Sequence, residues 1–196
     1  MINSIIMASG FSNRMGRNKL LLPYEGKSII EHIMDKVTKC NFNNIILVTN
    51  NKEIIDLAKK RGIDFVFNSH PEKGQSESIK LGIINSPEAE AYAFFTGDQP
   101  LMDIETIMFL MNSFNETKDS IIVPQYMEKK GTPVIFPKKF INELLALEGD
   151  VGGRKIINKH LEEVKYIEIK REYMLWDIDT EDDYNKLICK GWFNNV

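Results

Sequence analysis

Three cations, Arg14, Arg17 and Lys19, stand close together in the stretch MASGFSNRMGRNKLLLP that runs from Met7 to Pro23. They follow an apolar run, Ile5, Ile6 and Met7, and a turn of small residues, Ala8, Ser9 and Gly10, where no bulky side chain blocks a ligand's approach. Clustered positive charge beside outward-facing backbone N–H groups suits a polyphosphate. We read a nucleoside triphosphate site here, with Ala8, Ser9, Gly10, Arg14 and Lys19 as its binding residues; a charged surface loop behind a core strand is the plainer alternative. Carboxylates supply the complementary chemistry. Asp98 follows the apolar run Tyr92, Ala93, Phe94 and Phe95, which sets it outside the carboxyl end of a buried strand, where open α/β sheets bind ligands. A carboxylate so placed suits Mg²⁺, or Mn²⁺, bridging to substrate phosphates. One ligand seldom suffices for such an ion, and we assign Asp177, behind Tyr173, Met174, Leu175 and Trp176, as the second, with Asp179 as its competitor. The competing structural roles are an Asx turn closed by Pro100 and a cap for a helix starting near Glu181.

Better-known phosphate motifs are excluded by spacing. Gly26, Lys27 and Ser28 end like a P-loop, but the position that must hold its first glycine is Leu21. Gly10 and Gly16 are too far apart for the dinucleotide fingerprint. Gly74, Gln75, Ser76 and Ser78 open a helix whose N-terminus can take an anion or the edge of a base, so Gly74 and Ser76 join the binding residues; simple capping by Ser76 is the other reading. Arg154, in GDVGGR from Gly149, either meets an acidic substrate or lies on the surface. His32, His70 and His160 are scattered and form no metal site or nucleophilic triad. Cys40 and Cys189 are too few and too distant for a disulfide framework, and both are expected to be buried small hydrophobes.

The elements that must position these groups alternate between strand-like and helical patterns. Residues 2–7, 45–48, 63–67 and 91–96 read as strands, with helices from Ser28, over 53–61 and over 75–84 between them, and Asp103 caps a further helix. Beyond it, strands are expected at 121–123, 134–136, 164–169 and 175–178, and helices at about 138–146, 152–161 and 181–189. This order predicts an α/β fold: one domain over residues 1–196, three-layered and Rossmann-like, with a mostly parallel central sheet. A net charge of −3 and a pI near 5.7 argue against nucleic acid as a partner. The sequence shows no leader pattern and no apolar run of the ~18 residues that span a bilayer, so a soluble cytoplasmic protein without a membrane partner is expected.

Six blocks in order resemble the molybdenum cofactor cytidylyltransferases, within the wider family of molybdopterin-guanine-dinucleotide-type nucleotidyltransferases. They are MASGFSNRMGRNKLLLP, GQSESI at 74–79, GDQPL at 97–101, KGTPVIFP at 130–137, GDVGGRKII at 149–157 and DIDTEDDY at 177–184. The resemblance implies transfer of CMP from CTP to the terminal phosphate of a molybdopterin-type acceptor with release of pyrophosphate. Arg14, Lys19 and Asp98 would be catalytic, and base recognition would fall on the first turn, which reads Met7-Ala8-Ser9-Gly10 where the family usually reads Leu-Ala-Ala-Gly. Expected partners are the nucleotide, the pterin phosphate and a molybdenum hydroxylase or its maturation chaperone. The alternatives are a guanylyl- or sugar/alditol-phosphate nucleotidyltransferase, or a non-catalytic carrier of the cofactor.

Overall fold

A computed structural model describes residues 1–10 and 16–189. The chain begins with β1 (Ile2–Ala8), a strand buried on both faces, as its nearly continuous apolar sequence requires of a central parallel strand. A tight hairpin follows, β2 (Pro23–Tyr24) and β3 (Lys27–Ser28), turning through Glu25 and Gly26, both at positive φ as a two-residue hairpin demands. The triplet that ends like a P-loop is thus a hairpin corner plus a helix start. The Glu31 carboxylate accepts from Ser28 N–H (2.8 Å) and Oγ–H (2.7 Å) as α1 (Ile29–Val37) begins.

Next come β4 (Asn44–Thr49), α2 (Lys52–Lys59) capped by Asn51, β5 (Asp64–Phe67), α3 (Gln75–Ile84) and β6 (Ala91–Thr96). Asp103 Oδ1 then accepts from Thr106 N–H (2.7 Å) to cap α4 (Ile104–Thr117). The remainder comprises β7 (Ile121–Tyr126), β8 (Lys129–Lys130), β9 (Val134–Pro137), α5 (Ile141–Leu145), α6 (Arg154–Lys159), β10 (Val164–Glu168) and α7 (Glu181–Ile188).

The main sheet runs β10-β7-β9-β6-β1-β4-β5, with β8 paired to β7. Pairings within β6-β1-β4-β5 and between β7 and β10 are parallel, while β9 lies antiparallel between β6 and β7. The fold is the single-domain α/β arrangement with a mostly parallel sheet that the element order predicts. Strand alternation divides the core between the faces: Ile6, Leu47, Ala93 and Phe95 pack with α1, α2, α4 and α7, while Ile5, Ile46, Tyr92 and Phe94 pack with α3, α5 and α6.

Two expectations need correcting. The run Leu175–Ile178 is no strand: Glu172–Leu175 is a 3-10 turn, and the chain beyond it pairs with no ladder because Ile178 N–H donates to the Asp98 carbonyl (3.0 Å). Met174, Leu175 and Ile178 bury themselves as a strap over the core, which is why the run is apolar. Cys189 is exposed just past α7; of the two cysteines Cys40 alone is buried, and burial lifts its thiol pKa to about 11.

Candidate active site

From β1 the chain steps to β4 and β5 on one side, then crosses to β6 on the other, so the strand order reverses between β1 and β6. Loops leaving the carboxyl ends of these two strands part at that reversal and open a crevice. Gly97 N–H donates to the Met7 carbonyl (3.0 Å), clamping the two strand ends together. A Cβ on Gly97 would stand 2.7 Å from Ile30 Cδ1, so the turn packs closely on α1. A pocket of about 540 Å³ occupies the crevice.

Lys19 is delivered by a 3-10 turn, Lys19–Leu21, capped by Asn18 Oδ1 accepting from Leu20 N–H (3.1 Å) and anchored by buried Leu20 and Leu22. Its Nζ lies 2.6 Å from Asp98 Oδ2 and 2.7 Å from Asp179 Oδ1. Burial pulls the Lys19 pKa down, but the Asp98 charge and the hydrogen bonds to Asp179 and Asp98 outweigh it and leave the pKa raised, so the ammonium is fixed. Asp98 Oδ1 is buried and has no hydrogen-bond partner among the described residues. Asp177 reaches solvent on one side and meets Gln99 Nε2 (2.9 Å) on another. The surrounding protein, and after it the Asp98 charge, holds its carboxyl above the usual carboxylate range.

Ala8, Ser9, Gly10, Lys19, Gly74 and Asp98, all expected in the site from sequence, line the pocket together with Asp179. Asp177 lies beside this group without lining it. Ser76, expected as a binding residue, is buried and turned inward, its Oγ donating to the Lys73 carbonyl (3.4 Å). Arg14 falls outside the described residues. Arg17 points away to Glu181 (2.8 Å) and lies over the Tyr184 ring, and Arg154 is exposed at the start of α6.

On the pocket's far wall the sequence pointed to Gly74 but not to its contact with Asp150. Asp150 Oδ1 accepts from Gln75 N–H (3.2 Å) and the Gly149 carbonyl from Ser76 N–H (3.4 Å), so the 149–153 turn occupies the first donors of α3. Gly74, at φ +79°, permits this contact; its Cβ would stand 2.4 Å from Asp150 Cα. No local spacing links residues so far apart.

Residues 4–164 match the family described as "MobA-like NTP transferase domain". The chain belongs to that family. Among curated proteins, this MobA-like chain is 25% identical to the purine catabolism protein PucB of Bacillus subtilis, over 92% of its own length and 93% of PucB. It is also 25% identical to the bifunctional protein GlmU of Francisella tularensis, over 91% of its own length but only 44% of GlmU, so it spans less than half of that relative. Among solved structures, Rv0371c of Mycobacterium tuberculosis superposes with a TM-score of 0.83 at 26% identity, covering 95% of this chain and 96% of that one. A manganese complex of Rv0371C gives a TM-score of 0.80 at 24% identity, covering 95% and 97% respectively. By family the chain thus carries an NTP transferase domain, and among its described residues no helix is long and apolar enough to cross a membrane.

Proposed function

We propose that this nucleotidyltransferase moves CMP from CTP to the terminal phosphate of a molybdopterin-type acceptor and releases pyrophosphate. The observation that carries the reading is the Lys19 ammonium held between Asp98 and Asp179 where the strand order reverses, in a pocket of nucleotide size. The six sequence blocks support CTP and the pterin phosphate as the reactants. A molybdenum hydroxylase as the client of the finished cofactor follows from the resemblance of those blocks.

The donor set fits a divalent cation. Asp98 offers a buried carboxylate oxygen without a partner among the described residues, and Asp177, near enough to feel the Asp98 charge, is a second oxygen donor. The manganese complex of the similar Rv0371C supports the same class of ion, Mg²⁺ or Mn²⁺. When bound, such an ion supplies Lewis-acid neutralisation of the phosphate oxygens. The remaining chemistry belongs to the chain. A phosphate monoester, with its second pKa near ~6, is largely ionised at neutral pH and needs no protein base to attack the α-phosphorus. In keeping with this, His32, His70 and His160 are engaged with the Tyr24 carbonyl, Glu72 and Glu143. Lys19 offsets charge on the triphosphate and on the departing pyrophosphate, and Arg14 takes the same task on the strength of its sequence position.

Pyrophosphate release from CTP, GTP, UTP and ATP, each with Mg²⁺ and a molybdopterin-containing acceptor, tests this reading, with Asp98→Ala as control. CTP-selective release that falls ~10²-fold or more in the variant is expected. GTP-selective release, or release only with a sugar or alditol phosphate, would move the chain to another branch of nucleotidyltransferases. Nucleotide-independent capture of an apo-hydroxylase without any release would make it a carrier.

A further inference from the structure

Three sequence blocks that lie far apart, 97–101, 130–137 and 177–184, converge on one side chain, the carboxamide of Gln99. Gln99 is only 3% exposed, so each polar atom it carries must find a partner within the protein. All of them do. Nε2 donates to Asp177 Oδ1 (2.9 Å) and to the Leu175 carbonyl (3.3 Å), while Oε1 accepts from Thr132 Oγ1 (2.6 Å). Both partners of Nε2 are acceptors, and the Thr132 hydroxyl is free to donate, so the network admits one orientation of the amide. With its proton committed to Gln99, Thr132 Oγ1 serves as the acceptor in its 3.3 Å contact with Thr96 Oγ1 at the end of β6. Hydrogen bonds therefore run one way, from Thr96 through Thr132 and Gln99 to Asp177.

The backbone beneath Gln99 is fixed as well. Lys36 Nζ donates to the Pro100 carbonyl and Ile178 N–H to the Asp98 carbonyl, so the 97–100 turn and the 172–179 strap are tied to each other and to α1. A Cβ on Gly131 would stand 2.6 Å from Leu175 Cδ2, which sets the 130–133 segment hard against the same strap. A buried, singly oriented amide on a pinned turn is a device for holding a side chain at a fixed angle.

We propose that Gln99 is the positioning residue that presents Asp177 to the divalent cation, occupying Oδ1 so that Oδ2 is the oxygen left to ligate. The inference rests on the reading that Asp98 and Asp177 hold that cation. A hydrophobic side chain of similar size at position 99 would fill the same space without orienting the carboxylate. Outer partners of metal ligands typically contribute 10- to 100-fold in metal affinity, and a similar loss is expected for Gln99→Met. Thr132→Val, which removes only the far anchor of the amide, is expected to weaken binding several-fold.

The test is direct titration of Mn²⁺ into the full chain, free Mn²⁺ being followed by electron paramagnetic resonance, for wild type, Asp98→Asn, Gln99→Met and Thr132→Val. Circular dichroism and melting temperature are measured on the same samples. The expected result is weaker Mn²⁺ binding by Asp98→Asn, by Gln99→Met and, to a smaller extent, by Thr132→Val, each with a native spectrum at the titration temperature. A purely structural role for Gln99 would lower the melting temperature and leave the Mn²⁺ affinity of the folded variant at the wild-type value; that outcome overturns the proposal while the cation site stands. If Gln99→Met does not fold, wild-type affinity in folded Thr132→Val overturns it equally. A wild-type protein that binds no Mn²⁺ overturns both this inference and the cation reading beneath it.

Discussion

Lys19 is the residue on which the site's electrostatics turn. Its side chain is 12% exposed and that of Asp98 16%, so their 2.6 Å contact is little screened by water. An ammonium that meets Asp98 and Asp179 as a compact point charge is poorly replaced by a planar guanidinium, whose fork needs a different approach to each carboxylate. Lys19→Ala is therefore expected to lower kcat by ~10²- to 10³-fold, the usual loss when one preorganised charge-stabilising donor is removed, and Lys19→Arg to recover only a small part of it. Steady-state pyrophosphate release with circular dichroism on the same preparations checks both; near-normal turnover in Lys19→Ala would take the residue out of the mechanism. The candidacy of both residues was legible in the sequence, Asp98 because it follows a buried strand and Lys19 because it stands among clustered cations behind a turn of small residues. Asp179 was legible only as a competitor, since its pairing with Lys19 spans most of the chain and leaves no local pattern. Gln99 carried no signal of its own beyond membership of the GDQPL block.

At the scale of elements, the far wall of the pocket depends on α3 meeting the 149–153 turn. The helix begins without a side-chain cap of its own and borrows Asp150 and the Gly149 carbonyl. Gly74 makes this possible twice over, through its positive φ and through the missing Cβ. Gly74→Ala should cost about 1–3 kcal/mol, the range for a residue forced into a strained backbone region, and should pull the turn away from the helix. Asp150→Ala, which removes a cap and adds no clash, should cost about 1 kcal/mol. Urea unfolding of both variants tests the order, and equal stabilities would show that the close approach at Gly74 is not what holds the wall. The helix itself was plain in the sequence over 75–84, but its capping was not: Ser76 is the residue type that caps helices, and it turns inward because Asp150 and Gly149 already satisfy the first donors. The apolar run at 175–178 misled for a related reason, since burial of Leu175 and Ile178 writes the same pattern in a strap as in a strand.

For the molecule as a whole, alternating strands and helices made the α/β class readable, because a parallel sheet needs a crossover after each strand. The antiparallel insertion of β9 was not readable, as a short apolar run carries no mark of its direction or neighbours. Nor was the tie between neighbouring helices of one layer that Arg61 makes beyond the end of α2, where Nε meets Asp35 Oδ1 (2.6 Å) and Nη2 meets Glu31 Oε1 (2.8 Å) on α1. Burial pushes the Glu31 carboxyl up, but hydrogen bonds from Ser28 and Arg61 outweigh it; burial likewise pushes Asp35 up, and hydrogen bonds from Lys27 and Arg61 outweigh that. Both folded-state pKa values therefore lie below their ordinary values of 4.5 and 3.8. Carboxylates depressed in this way stabilise the fold fully above the unfolded-state pKa and lose that contribution as pH falls through the folded one. Arg61→Met removes the shared partner of both. The stability gap between wild type and Arg61→Met, measured by urea unfolding from pH 7 down to pH 3, should be constant above pH 6 and should narrow below about pH 4.5, as protonation deprives the wild type of the same ion pairs. A gap that stayed constant down to pH 3 would mean that Arg61 contributes through its packing against α1 and not through its charge.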